Sequence, residues 1–243
     1  MASTIAAGTT SGTALAMAGD TSGNLDLKSG TTTILALTAT GIAVTGTLSA
    51  SGVTTNAAGS AALPSITTTG DTDTGVWFPA ANTLAASTAG AERMRIDSSG
   101  RVTMSEQPRF LADRSSDQTG YNSTSTGDVV VIYNATTQNV GSHFSTSTGK
   151  FTAPVAGMYL FQGSAYSNGG TNFNQAWLVV NGARAIYTDT VVSTTGATIF
   201  SATFLIYLSA NDTVGYHSYN STNTNQTITA ANNHTWFKGY LIS

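Results

Sequence analysis

The chain has no cysteine in its 243 residues, so neither disulfides nor thiolate metal sites can support its fold, and the redox compartment is left open. Charge is scarce as well. Asp, Glu, Lys and Arg make up 9% of residues, against about 25% in an average soluble protein, which leaves Ser, Thr, Asn and Gly to cover the surface. A formal net charge of −3 and a pI near 5.4 supply no clustered cations for a phosphate backbone, and we expect no nucleic-acid partner. No segment approaches the roughly 18 apolar residues of a membrane helix, so no membrane insertion is expected. The stretch Met1 to Gly8 lacks the basic region and apolar core of a secretory signal. Without such a signal, the N-x-S/T triplets at Asn122, Asn134, Asn220 and Asn233 read as by-products of Asn/Thr richness.

Polar tracts of this kind can leave a chain disordered. Here, however, the 40% of apolar residues fall into alternating runs, which argues for a folded all-β protein. From Gly23 to Gly52, short pieces separated by glycine place Leu25 and Leu27, Leu35 and Leu37, and Ile42 and Val44 two apart. That is the period of a strand. Each strand offers too few side chains for a core of its own, so three copies wound about one axis would complete it. The alternative is a flexible Gly/Ser/Thr linker.

A second unit spans Thr67 to Met104. Asp71 to Gly75 reads as a turn, Val76 to Phe78 as a strand, and Met94, Ile96 and Val102, Met104 as two strands around the turn Asp97-Ser98-Ser99-Gly100. Its runs G-D-T-D-T-G-V-W-F-P and E-R-M-R-I-D-S-S-G-R-V resemble small β modules that recur in phage tail-fibre proteins, a resemblance that implies a virion fibre. Around it, Arg93, Arg95, Arg101, Arg109 and Arg114 alternate with Glu92, Asp97, Glu106, Asp113 and Asp117. Interspersed signs cancel the field a charged ligand needs, so we read a stalk-to-head junction in which intersubunit Arg–carboxylate pairs fix register, rather than a ligand site.

After Gln107-Pro108 the strands lengthen, with segments expected at Val129 to Tyr133, Lys150 to Thr152, Met158 to Ala165, Ala176 to Val180, Thr198 to Leu208, Thr213 to Tyr219 and Thr235 to Ile242. Phe200, Ala202, Phe204, Ile206 and Leu208 alternate, assigning one face to the core. Asn181-Gly182 marks a hairpin. Phe144, Phe151, Pro154, Gly157, Tyr159 and Phe161, the run L-x-A-N-D-T-V from Leu208 to Val214, and the closing F-K-G-Y-L-I from Phe237 resemble the globular head of complement component one, subcomponent q, related to the tumour-necrosis-factor jelly roll. The resemblance implies a ten-stranded jelly-roll sandwich that assembles as a tight homotrimer. Its middle departs from the family, with Asn, Ser and Thr in place of charged loops, so ligands of animal members are not carried over. A surplus of aromatics beyond the needs of one core is expected to form intersubunit contacts.

His143, His217 and His234 lack metal-ligand spacing, and Asp71 with Asp73 lacks the remainder of a calcium loop. Asp189 and Asp212 have no acidic neighbours in sequence. No G-x-S-x-G, P-loop or Rossmann pattern occurs, and Asp128, Asp189 and Asp212 are the only acids after Asp117, too few for a glycan-cleaving carboxylate pair. We therefore expect no catalytic residue, metal or cofactor. Two segments combine aromatics with amides and hydroxyls suited to sugar or cell-surface recognition. They supply Tyr166, Asn168, Asn172, Phe173, Tyr216, His217, Tyr219 and Asn220 as candidate host-binding residues, although solvated turns explain them equally.

The expected layout is a virion-attachment segment at 1–22 that contacts other virion proteins, an intertwined trimeric β stalk at 23–105 and a jelly-roll head at 106–243. Together they would form a phage fibre adhering to a host-surface glycan or protein. A decoration protein of the particle and a glycan-degrading tail enzyme are the alternatives.

Overall fold

The computed structural model describes residues 25–29, 32–38, 41–44, 47–121, 129–168, 173–187, 191–192, 197–220, 226–230 and 234–243. Among these the fold is all-β, with a single 3₁₀ turn at Val140–Ser142. The expected attachment segment, 1–22, lies outside the described residues. The chain divides into two compact units, Met1–Ala57 and Ala58–Ser243.

In the first unit, β1 (Leu25–Ser29), β2 (Thr32–Thr38) and β3 (Gly41–Ala43) form an antiparallel meander. Its register sets Leu25 opposite Leu37, Leu27 opposite Leu35, and Leu37 opposite Ile42.

The second unit opens with a five-stranded antiparallel meander. Its strands are β4 (Ile66–Thr68), β5 (Asp71–Trp77), β6 (Leu84–Thr88), β7 (Ala91–Ile96) and β8 (Val102–Thr103), neighbours in that order. Here the sequence reading needs correction, because Asp71 to Gly75 is strand and the reversal lies one step earlier, at Gly70 with φ 89°. The turn after Ile96 is as expected. The Asp97 carboxylate accepts from the Ser99 and Arg101 backbone N–H groups at 2.9 and 3.0 Å, and Gly100 supplies a φ of 77°.

The arginines of this region also differ from expectation. Residues three apart on a strand normally face opposite ways, but Ser87 pairs with Glu92 while Ala86 pairs with Met94. The extra residue, Arg93, is a bulge that brings Glu92 round to Arg95. The two form a bidentate pair at 2.7 and 2.5 Å, and Arg101 closes on Asp97 at 2.7 Å. Both guanidinium groups are thus engaged inside one chain, where the intersubunit reading had placed them between chains. Arg114 is buried, and burial lowers its pKa. It donates to Ser116 O, Gln118 Oε1 and Ile132 O, tying two loops together through neutral acceptors.

The head follows as β9 (Arg109–Asp113), β10 (Gln118–Tyr121), β11 (Val129–Val130), β12 (Ala135–Asn139), β13 (Phe144–Ser145), β14 (Lys150–Thr152) and β15 (Gly157–Asn168), then β16 (Phe173–Val180), β17 (Ala183–Tyr187), β18 (Val191–Val192), β19 (Ala197–Leu208), β20 (Thr213–Asn220), β21 (Gln226–Ile228) and β22 (Trp236–Leu241). These segments build two sheets. One runs β10-β21-β15-β22-β9-β12 with β19 on the other side of β15; the other runs β13-β14-β20-β16-β17 with β11 on β20 and β18 on β16. Apart from β13-β14, β16-β17 and β16-β18, neighbours in these sheets are distant in sequence, as in a jelly roll. The Asn181-Gly182 hairpin has positive φ at both residues, 50° and 82°, the type I′ signature.

Between the sheets lies an aromatic core. Phe161 stacks on Phe237 at 5.7 Å, Phe110 on Phe144 at 4.6 Å, and Phe151 meets Phe161 edge-on at 5.6 Å. Two glycines make room for these rings. A Cβ on Gly239 would lie 2.6 Å from Phe161 and 2.7 Å from Phe110, and one on Gly163 would lie 2.5 Å from Tyr216. Of the head aromatics, Tyr159, Phe161, Phe200, Phe204, Tyr216 and Phe237 are buried in this core within one head.

Two outcomes follow. Gly239→Ala forces a methyl between two rings and is expected to lower stability by about 1–3 kcal/mol, while Phe161→Ala is expected to cost about 3–5 kcal/mol, both read from urea unfolding midpoints. Arg95 lowers the pKa of Glu92, and the backbone N–H and guanidinium of Arg101 lower that of Asp97, whereas a hydrogen bond with Asp71 raises Asp73. Carboxyl NMR titrations should order them accordingly. Because the folded pKa values of Glu92 and Asp97 lie below the unfolded ones, their stabilisation is present above about pH 4 and lost as the pH falls through the folded values.

Candidate functional site

Among the described residues no group of three His, Asp or Glu could hold a metal. His143 packs edge-on to Phe151 at 6.4 Å, His217 sits in β20, and His234 is exposed beside Tyr166. Asp212 is occupied by the protein itself. Its oxygens accept from Asn181 Nδ2 at 2.7 Å and from the Ser209 N–H at 2.8 Å, while Asn181 Oδ1 accepts from the Thr213 N–H. Such a carboxylate closes a loop onto the hairpin. Asp128 and Asp189 lie outside the described residues.

The candidate host-binding residues that are described divide between the two sheets. Tyr166 and Asn168 end β15 in the first sheet, while Phe173 begins β16 and Tyr216, His217, Tyr219 and Asn220 belong to β20 in the second. Asn172 is outside the described residues. Tyr216 must be withdrawn. It is a strand residue at 0% exposure whose hydroxyl donates to Phe200 O at 3.2 Å, because its place in the alternation points it between the sheets. On the opposite side of the same strand, Tyr219 is half-buried, with the Arg184 guanidinium 5.9 Å from its ring and 4.3 Å from that of Trp177. This cation–π contact between β16, β17 and β20 needs their register to be seen and has no signal in the sequence alone.

The most distinctive surface lies elsewhere, on the outward side of the first sheet. Alternation along β15 buries Tyr159 and Phe161 and turns Met158 and Leu160 out. Register then extends these into rows across three strands. Tyr207, Met158 and Ile242 form one row, Leu205, Leu160 and Tyr240 the next, and Thr203, Gln162 and Lys238 a third. Tyr207 is 64% exposed, Leu205 56% and Ile242 53%. The third row is knitted by a Gln162 Nε2 to Thr203 Oγ1 bond of 3.0 Å, and Lys238 lies over the Trp236 ring at 4.6 Å.

At the margin of this face runs β19, twelve residues that among the described residues pair only with β15. Its sequence, A-T-I-F-S-A-T-F-L-I-Y-L, has no charged residue and no proline. Edge strands that must stay single are normally defended by such residues, and contiguous apolar patches on soluble proteins mark interaction sites. The face is built mainly of aliphatics, with Tyr207, Tyr240 and, beneath Lys238, Trp236.

A search of curated proteins returned no match. Among solved structures, the globular domain of a zebrafish complement 1qA protein is similar, at 18% identity with a TM-score of 0.44 over 57% of this chain and 98% of that one. Murine APRIL is similar at 8% identity and a TM-score of 0.42 over 56% of this chain and 99% of that one. Eiger TNF from S. frugiperda is similar at 12% identity and a TM-score of 0.40, covering 56% and 91%. The C1q domain profile matches residues 109–242, from the first residue of β9 to just past the end of β22, and on that match the chain belongs to the C1q domain family.

Proposed function

We propose that the protein is a homotrimeric virion fibre of a bacteriophage whose head binds a host-surface glycan or protein without catalysis. The observation that carries the assembly is the uncovered apolar face of β15, β19 and β22. Leu205, Leu160, Tyr207 and Met158 stand together on it with no layer over them among the described residues of the head, and two further copies of the head supply that layer. Homotrimers are what the resemblance to complement heads implies, and C1q and tumour-necrosis-factor domains are typically ligand-binding modules rather than enzymes. The phage context is supported by the G-D-T-D-T-G-V-W-F-P and E-R-M-R-I-D-S-S-G-R-V runs, which now map onto β5 and onto β7 with its following turn. Adhesion is supported by the polar, amide-rich loops and by multivalency, since three heads on one fibre strengthen weak contacts by a factor on the order of 10² to 10⁴.

Leu205→Asp tests the assembly. The side chain is 56% exposed, so the head should keep its β circular-dichroism spectrum, while light scattering should report a trimer for the parent chain and a monomer for the variant. A monomeric parent chain at micromolar concentration would sink the proposal. Purified parent protein is expected to compete with virions for adsorption to host cells; a trimer that fails to compete is a decoration protein instead.

A further inference from the structure

The Ile66–Thr103 sheet has two faces of opposite character. On one, Ala85 and Ser87 are buried at 1% and 2% exposure, and the strand-leading segment folds back over them. Phe78 N–H donates to Ala58 O at 2.8 Å, and buried Pro64 lies where a Cβ on Gly75 would meet it at 2.9 Å. The other face carries Val76, Ala86 and Met94 in one row and Leu84, Ile96 and Val102 in the next. All six are apolar, none is buried, and Val102 is 58% exposed. An open hollow of about 470 Å³ between Phe78, Leu84 and Ile96 continues this face. A sheet with one apolar face must bury it against another layer, and among the described residues of the Ala58–Ser243 unit no such layer lies over these six.

We infer that this second face is a contact between copies of the chain, three such sheets closing on one another as a dry core ahead of the heads; the inference rests on the trimeric reading above. The choice of occupant follows from chain length. Residues 104–108 are all that separate β8 from β9, a reach of at most about 18 Å. Arg109 Nη1 also donates to Met104 O, and Gln107 Nε2 donates to Leu241 O, holding that linker to the head. Heads that meet through β15, β19 and β22 therefore deliver three identical apolar sheets within a few residues' reach of each other. The two apolar rows carry no charged residue, and Arg93 stands at the Thr88 end of the face, where its Nε donates to Thr88 Oγ1 at 3.0 Å.

The absence of native cysteine makes the test direct. In the full-length chain, Ala86→Cys places one thiol at the centre of the face, and Ser99→Cys places one in the exposed turn. We expect A86C to give covalent dimers with a short bis-maleimide or mild oxidant, and to alkylate at least tenfold more slowly than S99C before denaturation. If A86C misfolds, Val102→Cys, at an already exposed edge, serves the same purpose. A chain that scatters as a trimer but whose A86C and V102C thiols react as fast as S99C, without cross-linking, overturns this contact and leaves head assembly standing. Slow reaction without cross-links overturns it too, because the face is then covered by something other than a second copy. A monomeric parent chain removes both.

Discussion

Everything in the head depends on the aromatic stack between its two sheets. Phe110, Phe151, Phe161 and Phe237 come from four strands scattered over 128 residues of sequence, and their rings contact one another at 5.1 to 6.3 Å. Because strand side chains alternate, fixing these rings inward fixes everything beside them outward. Tyr159 and Phe161 cannot face the core unless Met158 and Leu160 face away. The core and the uncovered face are therefore one consequence of a single register, and a one-residue slip would exchange them.

Low charge then decides what the outward face can do. A head of ordinary composition would break its longest edge with lysines, whereas β19 spends Ile199, Ser201, Thr203, Leu205 and Tyr207 there. The few charges present are mostly committed locally. Arg95 and Arg101 each close a short loop on a carboxylate, and exposed pairs of that kind contribute little to stability. Arg114, the buried one, binds carbonyls and an amide instead. Charge in this chain shapes turns, and apolar surface is left to govern association.

Much of this was legible in the chain itself. The strict alternation of β19, the Asn181-Gly182 turn and the ends of β14 were read correctly because each depends on residues adjacent in sequence. The strand at Arg109–Asp113 was missed because its buried side chains are only Phe110 and Ala112, and it is a strand chiefly by virtue of lying between β12 and β22. Asp71 to Gly75 read as a turn for its Asp, Thr and Gly content, yet pairing with β4 and β6 outweighs that local preference. Tyr216 looked like a recognition residue in an amide-rich run, and only the partner strand shows that it faces Phe200. The site was the least legible part, since a row such as Leu205, Leu160 and Tyr240 joins three strands and exists only once they are in register.

The two uncovered faces also reinforce one another energetically. In the proposed trimer, with no cysteine available, three chains would stay together through packing alone, and each separate contact would cost the entropy of association anew. Joined by a five-residue linker, residues 104–108, the second contact becomes intramolecular once the first has formed, at an effective concentration on the order of millimolar. A sheet with only small and medium side chains, too weak to assemble alone, then suffices. In the proposed assembly, the short linker is thus what would allow so modest an apolar face to act as an interface.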